Sequence, residues 1–393
     1  MNSLKHNAMK KIFTICAAAA MVAACAKETP VTPETVVTPV ENGEAVAVLF
    51  DSNVTASVET KAQGGVDAWN QAQTIYVYGF QRQAGGINYA TATPFINNVA
   101  AISPAEGAAG NAIDVLDASG KPFYYLGNNT FDFYGYYVDD LAIEPVANAD
   151  GIYLDLTLTG GEDIMIAKAD PATDVQKAKD AGLFKGDASW NDAYAYSAYA
   201  ARRGVQPSLT FKHQLARFTF QITSGANYDS EDEAKLYVKG LTMAARNKAQ
   251  LCVAGSNLGL TSIQNDLADL SLRSLVNGQL TDLQVYEVPD NDVVVEEGAN
   301  VIGESLMVIP GNDVYSINLI MEQDGNEVPC PIDLKFSSVT GAPAGQTQFT
   351  AGYSYRVTIK VYDLENVELT AELEPWLPGG DIEINTDDAP EIF

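Results

Sequence analysis

From about residue 44 the chain is a succession of short runs in which apolar and polar residues alternate, separated by Gly, Asn, Asp and Pro. Alternation with a period of two is what a β-strand with one face in the core produces. The pattern therefore predicts an all-β protein of antiparallel strands, without long helices. The runs that carry it are 45–50, 74–80, 131–137, 152–158, 163–167, 209–222, 235–243, 306–309, 314–321, 353–362 and 367–373.

Three stretches depart from simple alternation. The run 74–80 is apolar on both faces, which is typical of a strand in the centre of a sandwich. In 209–222 the apolar positions change parity, so we expect a bulge or bend near Ala216 that re-aims the side chains. An insert over 172–203 contains a weak helix at 176–181, and 256–268 has no clear period, which predicts a long loop.

The length of 393 residues predicts two domains of ordinary size once the N-terminus is set aside. The polar stretch that ends at Gly204 is the expected boundary between a domain over 44–204 and a second one over 205–393. The two halves have the same kind of strand pattern, so we expect two β domains in tandem.

The first residues have the features of an export signal. Lys10 and Lys11 precede an apolar run over 12–24, which is shorter than the roughly 20 residues that a membrane-spanning helix needs. Residues 22–25 read Val-Ala-Ala-Cys and match the bacterial lipobox, which predicts cleavage between Ala24 and Cys25 and lipidation of Cys25. A simple secretory peptide with a chance cysteine is the alternative, and Met9 is a second candidate start. Residues 25–43, rich in Pro and Thr, are expected to form an extended tether.

Charge limits the partners of this chain. The formal net charge is −28, and loss of residues 1–24, which hold three lysines and no acid, would leave −31. Such an acidic surface repels nucleic acid and anionic lipid headgroups, so neither is an expected partner. Cys252 and Cys330 are the two cysteines outside the leader. Two cysteines do not form a disulfide framework, so buried thiols are favoured and a bridge remains the alternative.

The sequence contains no recognisable catalytic motif. His213 is the one histidine after the leader, and it lies in a strand pattern without a nucleophile motif nearby, which favours a structural role. No G-x-S-x-G, H-E-x-x-H, paired C-x-x-C or Walker motif occurs, and the acidic run 290–292 lacks the glycine and glutamate of a calcium loop. We therefore expect no enzyme activity, no cofactor and no metal. A carboxylate pair of the glycosidase kind stays possible by number alone.

Two aromatic sets offer an alternative function, the binding of surface glycans by an exported lipoprotein. Aromatic rings stack on sugars, although at strand spacing they more often pack in a core. The sets are Tyr124, Tyr125, Phe131, Phe133, Tyr134, Tyr136 and Tyr137, followed by Tyr194, Tyr196 and Tyr199.

Several segments, taken in their order along the chain, resemble the fimbrillin family, the Mfa-like subunits of type V pili. They begin with Trp69 and end with the Pro-Trp-Leu-Pro-Gly-Gly run that contains Trp376, and the resemblance extends over about 44–385. The segments between are 75–80 (IYVYGF), 131–137 (FDFYGYY), 163–167 (DIMIA), 209–216 (LTFKHQLA) and 351–355 (AGYSY).

The resemblance implies two transthyretin-like β-sandwich domains in a lipoprotein precursor held at the outer membrane. It also implies assembly with other fimbrial subunits: an Arg/Lys-specific surface protease removes the first strand, and a neighbour's donor strand replaces it. Lys61 matches the processing site, since it is the only basic residue between Lys27 and Arg82. Host or bacterial surface glycans or proteins are the implied adhesion partners.

The candidate donor strand is short, which leaves a stalk, tip or anchor role open. It consists of Asp381, Ile382, Glu383 and Ile384.

Overall fold

The computed structural model describes residues 45–55, 72–104, 112–139, 141–186, 188–224, 236–263, 266–272, 275–276, 279–280, 293–294, 300–323, 325–362 and 367–374. The fold is all-β, as predicted. The strands are β1 Phe50–Thr55, β2 Thr74–Gln81, β3 Ile96–Ile102, β4 Ala112–Ile113, β5 Phe131–Tyr137, β6 Val146–Ala147, β7 Gly151–Thr157, β8 Met165–Lys168, β9 Ser208–His213, β10 Ala216–Ser224, β11 Leu236–Ala245, β12 Lys248–Gly255, β13 Gly259–Ser262, β14 Ala268–Ser271, β15 Leu275–Val276, β16 Gln279–Leu280, β17 Val293–Val294, β18 Asn300–Val308, β19 Val314–Gln323, β20 Asn326–Lys335, β21 Val339–Thr340, β22 Ser354–Val361 and β23 Val367–Glu374.

The helices are few and short. They are α1 Pro171–Asp180 and α2 Ala198–Arg202, with 3₁₀ turns at Asp192–Tyr194 and Phe336–Ser338. Among the described residues, no helix is long and apolar enough to cross a membrane.

A first sandwich contains a seven-stranded sheet in the order β3-β2-β5-β8-β9-β1-β4 and a four-stranded sheet in the order β13-β12-β7-β6. The seven-stranded sheet is apolar on both faces. Ile75 and Val77 of β2 belong to the core that includes the helical insert, whereas Tyr78 and Phe80 belong to the core that includes the four-stranded sheet. The prediction that 74–80 is a central strand is therefore confirmed.

The helical insert covers one face of this sheet. The Asp170 side chain caps α1 by accepting a hydrogen bond from the Thr173 backbone N–H at 3.1 Å, and Pro171 occupies the first turn, where no N–H is needed. Val175 and Ala178 are buried against the sheet. The weak helix predicted at 176–181 is thus the second half of a longer helix, which begins at the capping Asp.

A second sandwich places the sheet β18-β10-β22-β23-β21 over the sheet β14-β11-β19-β20, where β17 also pairs with β11. Its core contains the aromatic residues Phe218, Tyr315, Phe349 and Tyr355. Most strand pairs are antiparallel, as predicted. The exceptions are the parallel pairs β1–β9, β10–β22 and β21–β23.

The change of parity within 209–222 coincides with a bend at Leu215, next to Ala216, which is the second of the two expected alternatives. The run is two strands, β9 and β10, with a break at Gln214 and Leu215 where the chain leaves the first sandwich for the second. Each strand faces its own core, so the apolar positions need not share a parity. A bulge does occur in β10, between Phe218 and Phe220.

The sheets do not divide at residue 204. The strand β9 lies in the first sandwich, and β12 returns there from the second half of the sequence to pair with β7, where Leu251 is opposite Leu154. The loop predicted over 256–268 is wrong in part, because it contains β13. The first strand also lies later than expected: β1 covers 50–55, and 45–49 contributes only an isolated bridge between Ala47 and Tyr124.

Candidate functional site

The strand β1 lies between two partners near one border of the seven-stranded sheet. It runs parallel to β9, with Asp51 opposite Ser208 and Thr55 opposite Lys212. On its other side it is antiparallel to the two-residue strand β4, where Phe50 is opposite Ile113. The strand that the sequence analysis identified as replaceable is therefore a paired member of the sheet.

The residues before β1 continue this arrangement. The Val48 backbone N–H donates to the Phe123 carbonyl at 2.8 Å, and the Tyr125 N–H donates to the Val46 carbonyl at 2.9 Å. On the opposite side, the Asp51 N–H donates to the Pro207 carbonyl at 3.2 Å. The segment 46–51 thus occupies a groove between 122–126 and 206–208.

Side chains of this segment alternate between core and solvent. Val48 and Phe50 are each 3% exposed, whereas Leu49 between them is 57% exposed. The Phe50 ring packs edge-on against Phe133, with 5.1 Å between ring centroids. Fully burying an apolar side chain of this size contributes about 1.5–3 kcal/mol, so these two residues hold the segment firmly.

A side-chain amide completes the groove where the β9 ladder begins. The Gln206 Oε1 accepts a hydrogen bond from the Leu49 backbone N–H at 3.2 Å, and Gln206 Nε2 donates to the Ala47 carbonyl at 3.4 Å. Sequence reasoning missed Gln206. The partners are more than 150 residues apart, so no local pattern connects them.

A buried carboxyl lies beneath the start of β9. The Asp174 Oδ2 accepts hydrogen bonds from the Tyr196 hydroxyl at 2.5 Å and from the Ser208 backbone N–H at 2.9 Å. Lys177 Nζ lies 4.0 Å from Asp174 Oδ1 and donates to the Ser208 hydroxyl at 2.7 Å. Burial raises the pKa of Asp174 from 3.8 to about 6, against the opposing effect of these hydrogen bonds. The neighbouring Asp174 is a lesser cause of the raised pKa of Tyr196, after burial.

His213 has a structural setting. It ends β9, is buried, and its Nδ1 lies 2.9 Å from Asp163 Oδ2. The contact connects β9 to the residues before β8. Cys252 and Cys330 do not form a disulfide: both are buried, one in β12 of the first sandwich and the other in β20 of the second.

Other residues singled out in the sequence lie outside the described ranges. They are Ala24, Cys25, Lys61, Trp69, Trp376, the acidic run 290–292 and the donor candidate Asp381, Ile382, Glu383 and Ile384. Their roles stay predictions. Within the described part of the chain, no group of three or more His, Cys, Asp or Glu side chains is placed to hold a metal ion.

The aromatic sets are mostly core residues. Tyr125, Phe131, Phe133, Tyr134, Tyr136, Tyr137, Tyr194, Tyr196 and Tyr199 are buried. Tyr124 is 44% exposed, and it lies beside the segment 46–49. Burial of these rings leaves little aromatic surface for stacking on sugars, so the glycan-binding alternative loses the observation on which it depended.

Comparison with known proteins gives a family and a set of structural neighbours. The model of the fimbrillin-like family matches residues 60–376. A candidate cell adhesion protein of Bacteroides uniformis has a similar crystal structure, with 15% identity, a TM-score of 0.47, and coverage of 84% of this chain and 98% of its own. A candidate cell adhesion protein of Bacteroides ovatus is similar at 12% identity and a TM-score of 0.48, with coverage of 86% of this chain and 100% of its own.

A fimbrilin of Porphyromonas gingivalis is also similar, at 12% identity and a TM-score of 0.37, over 85% of this chain and 99% of its own. No curated protein sequence matches the chain at a significant level. The neighbours are too distant to carry an argument, but the family match spans most of the sequence, including nearly every described strand. On that match, the chain belongs to the fimbrillin-like family.

Proposed function

We propose that this chain is a structural subunit of a cell-surface fimbria that joins its neighbour by replacement of β1. Membership of the fimbrillin-like family supports a fimbrial or adhesin subunit at the cell surface, and it favours a structural over a catalytic role. The observation that carries the proposal is the position of β1. It is the first described strand and it pairs on both sides. Its first residue, Phe50, and Val48 just before it are buried in the core beneath the strand.

The energetics of replacement follow from those contacts. Removal of β1 would leave the N–H and C=O groups of β9 without their parallel partner and would expose the core around Phe133. A donor strand that restores the ladder and refills both apolar positions regains burial and hydrogen bonds together. Two such side chains account for roughly 3–6 kcal/mol, enough for a durable joint.

The donor in this proposal is the segment Asp381–Ile384 of another copy. In an extended strand, the side chains of Ile382 and Ile384 would share one face, and those of Asp381 and Glu383 would share the other. A subunit that donates this segment and also accepts one is a stalk subunit. One that does only one of the two is a tip or an anchor subunit.

Export as a lipoprotein is the second part of the proposal. Cleavage between Ala24 and Cys25 would free the α-amine of Cys25, so that this amine and the side-chain thiol could both carry lipid. The acyl chains would hold the precursor in the outer membrane before processing. Labelled palmitate should enter the wild-type protein and not a Cys25→Ser variant. Equal labelling of the two proteins would contradict the anchor.

Processing at Lys61 is tested with the purified precursor. A trypsin-like protease should cut between Lys61 and Ala62, and the product should form ladders on a mild-detergent gel. The Lys61→Gln variant should give neither the discrete cut nor the ladder.

The matched control is Lys185→Gln, because Lys185 is exposed and lies far from β1 in the sequence. This variant should behave as wild type. A precursor that is never cut at Lys61, or ladders that persist in Lys61→Gln, would contradict the mechanism.

A further inference from the structure

The hydrogen bonds of Gln206 reproduce the pattern of a parallel β-ladder. In such a ladder, one residue donates its N–H to the carbonyl before its opposite residue and accepts from the N–H after it. Continued back from Asp51 and Ser208, the backbone register places Leu49 opposite Gln206. The Gln206 side chain instead makes the two bonds on either side of Val48, to the Ala47 carbonyl and from the Leu49 N–H. A side-chain amide therefore stands where a backbone peptide would be.

The side-chain amide takes the place of a backbone peptide because the next residue is a proline. Pro207 has no N–H, so it accepts from the Asp51 N–H but donates nothing to the strand beside it. The regular ladder of β9 starts only at Ser208. Gln206 extends the ladder past the proline, to the position of Val48.

We propose that Gln206 sets the register of the strand that lies beside β9. Both hydrogen bonds of the amide are to backbone atoms, so they require an N–H at the position of Leu49 and no particular side chain there. The two core positions on either side, those of Val48 and Phe50, must then be apolar. If the strand shifted by one residue along β9, the side chain at the exposed position of Leu49 would point into the core.

For the joint between subunits, this inference rests on the proposed function. The incoming strand must contain two apolar residues separated by one residue that is not proline. Within 375–393 a single such place occurs, at Ile382 and Ile384 with Glu383 between them. Gln206 therefore selects one register for a second copy's segment, with Glu383 in the place of Leu49.

Hydrogen exchange in the intact chain tests the role of Gln206 without any need for strand replacement. In Gln206→Ala, the Leu49 amide loses its acceptor and should exchange on the order of tenfold faster, the effect of one net hydrogen bond. Gln206→Glu keeps an acceptor for Leu49 but cannot donate to the Ala47 carbonyl, so its effect should be smaller. The control Gln83→Ala changes an exposed glutamine away from the groove and should leave the Leu49 amide unchanged.

Two results would overturn the proposal. One is an unchanged Leu49 amide in Gln206→Ala. The other is an equal acceleration of the Leu49 amide and of the Phe133 amide in β5, because that result would mean a general loss of stability.

A second experiment addresses the selected register. After cleavage at Lys61, a peptide of residues 380–386 is titrated in two forms, unmodified and N-methylated at Glu383. N-methylation should weaken binding to the wild-type chain roughly tenfold more than binding to Gln206→Ala, because the variant has no acceptor to lose.

An equal loss for both proteins would overturn the selected register. If neither peptide binds, the donor assignment of the proposed function fails, and the exchange experiment alone then decides the role of Gln206.

Discussion

At the scale of single residues, the region around β9 combines a firm apolar fit with one unfavourable group. Asp174 is buried beneath the start of β9, where Asp170 on the same helix is the nearby like charge and Lys177 the nearby opposite charge. Both of its hydrogen bonds are accepted by Oδ2, and together they do not offset the cost of removing the carboxylate from water. The carboxylate therefore costs stability at neutral pH that a neutral group of the same shape would not.

The sign of this effect gives a prediction for Asp174→Asn. The carboxyl of Asp174 binds its proton more tightly in the folded chain than in the unfolded chain. This tighter binding adds to the free energy of unfolding in full below about pH 4, and the added stability is lost as the pH rises through about 6. The amide oxygen can accept the same hydrogen bonds without a charge. We expect the variant to be more stable than wild type by about 1–2 kcal/mol at pH 8, and no more stable at pH 4.

Urea unfolding at the two pH values measures this difference. Asp170→Asn is the matched control on the same helix. Hydrogen bonds from Thr173 lower the pKa of Asp170, so that charge stabilises the fold at high pH and its loss should have the opposite sign. If Asp174→Asn changed the free energy of unfolding equally at both pH values, the titration argument would be wrong.

At the scale of elements, the two sandwiches differ in the strands near their sheet edges. In the first, β1 fills the groove between β4 and β9, and the proposed function makes this strand the replaceable one. In the second, β20 is an edge strand in the described part of the chain, and it contains Pro329 and Pro331, both exposed. Proline has no N–H to offer, so these positions interrupt the row of donors along the free edge. This protection agrees with the proposed association at the β1 groove alone.

Restoring the donors should therefore create a second site of association. The double variant Pro329→Thr with Pro331→Thr has strand-forming residues and N–H groups at both positions, so we expect self-association that increases with concentration. Sedimentation velocity measures it. Pro343→Thr, in an exposed loop, serves as the control and should sediment as wild type. A double variant that sediments as wild type at every concentration would show that the prolines do not protect this edge.

At the scale of the whole molecule, the chain alternates between the sandwiches. It leaves the first after β9, builds β10 and β11 in the second, and returns for β12 and β13 before completing the second. The pairing of β12 with β7 extends over most of both strands, from Lys248 opposite Thr157 to Gly255 opposite Gly151. The first sandwich therefore depends on residues that follow the expected boundary at 204.

This path predicts the behaviour of a truncated chain. A fragment of residues 44–204 lacks β9, β12 and β13, so β1 loses its parallel partner and β7 loses the strand that covers the core. We expect the fragment to lack cooperative unfolding in circular dichroism and dispersed amide signals in NMR, whereas residues 44–393 should show both. A fragment with a sharp unfolding transition would instead support an independent domain that ends at 204.

The sequence alone determined the local elements of this protein. The strands β5 and β7 follow from alternation, and β2 follows from a short run that is apolar on both faces. Both patterns are properties of neighbouring residues. One strand boundary was misplaced, since β1 begins at Phe50 and not at residue 45. Other strands, among them β12, β13 and β20, were not predicted. The position of His213 within a strand also followed from the pattern.

Tertiary structure alone decided which elements meet. No local period shows that β12 pairs with β7, that Asp174 lies beneath Ser208, or that Gln206 contacts Leu49. Each contact joins residues far apart in the sequence, and it exists because burying both faces of the seven-stranded sheet brings those segments together. Hydrophobic burial is non-directional, so it specifies that faces must be covered but not, from sequence alone, which segment covers them.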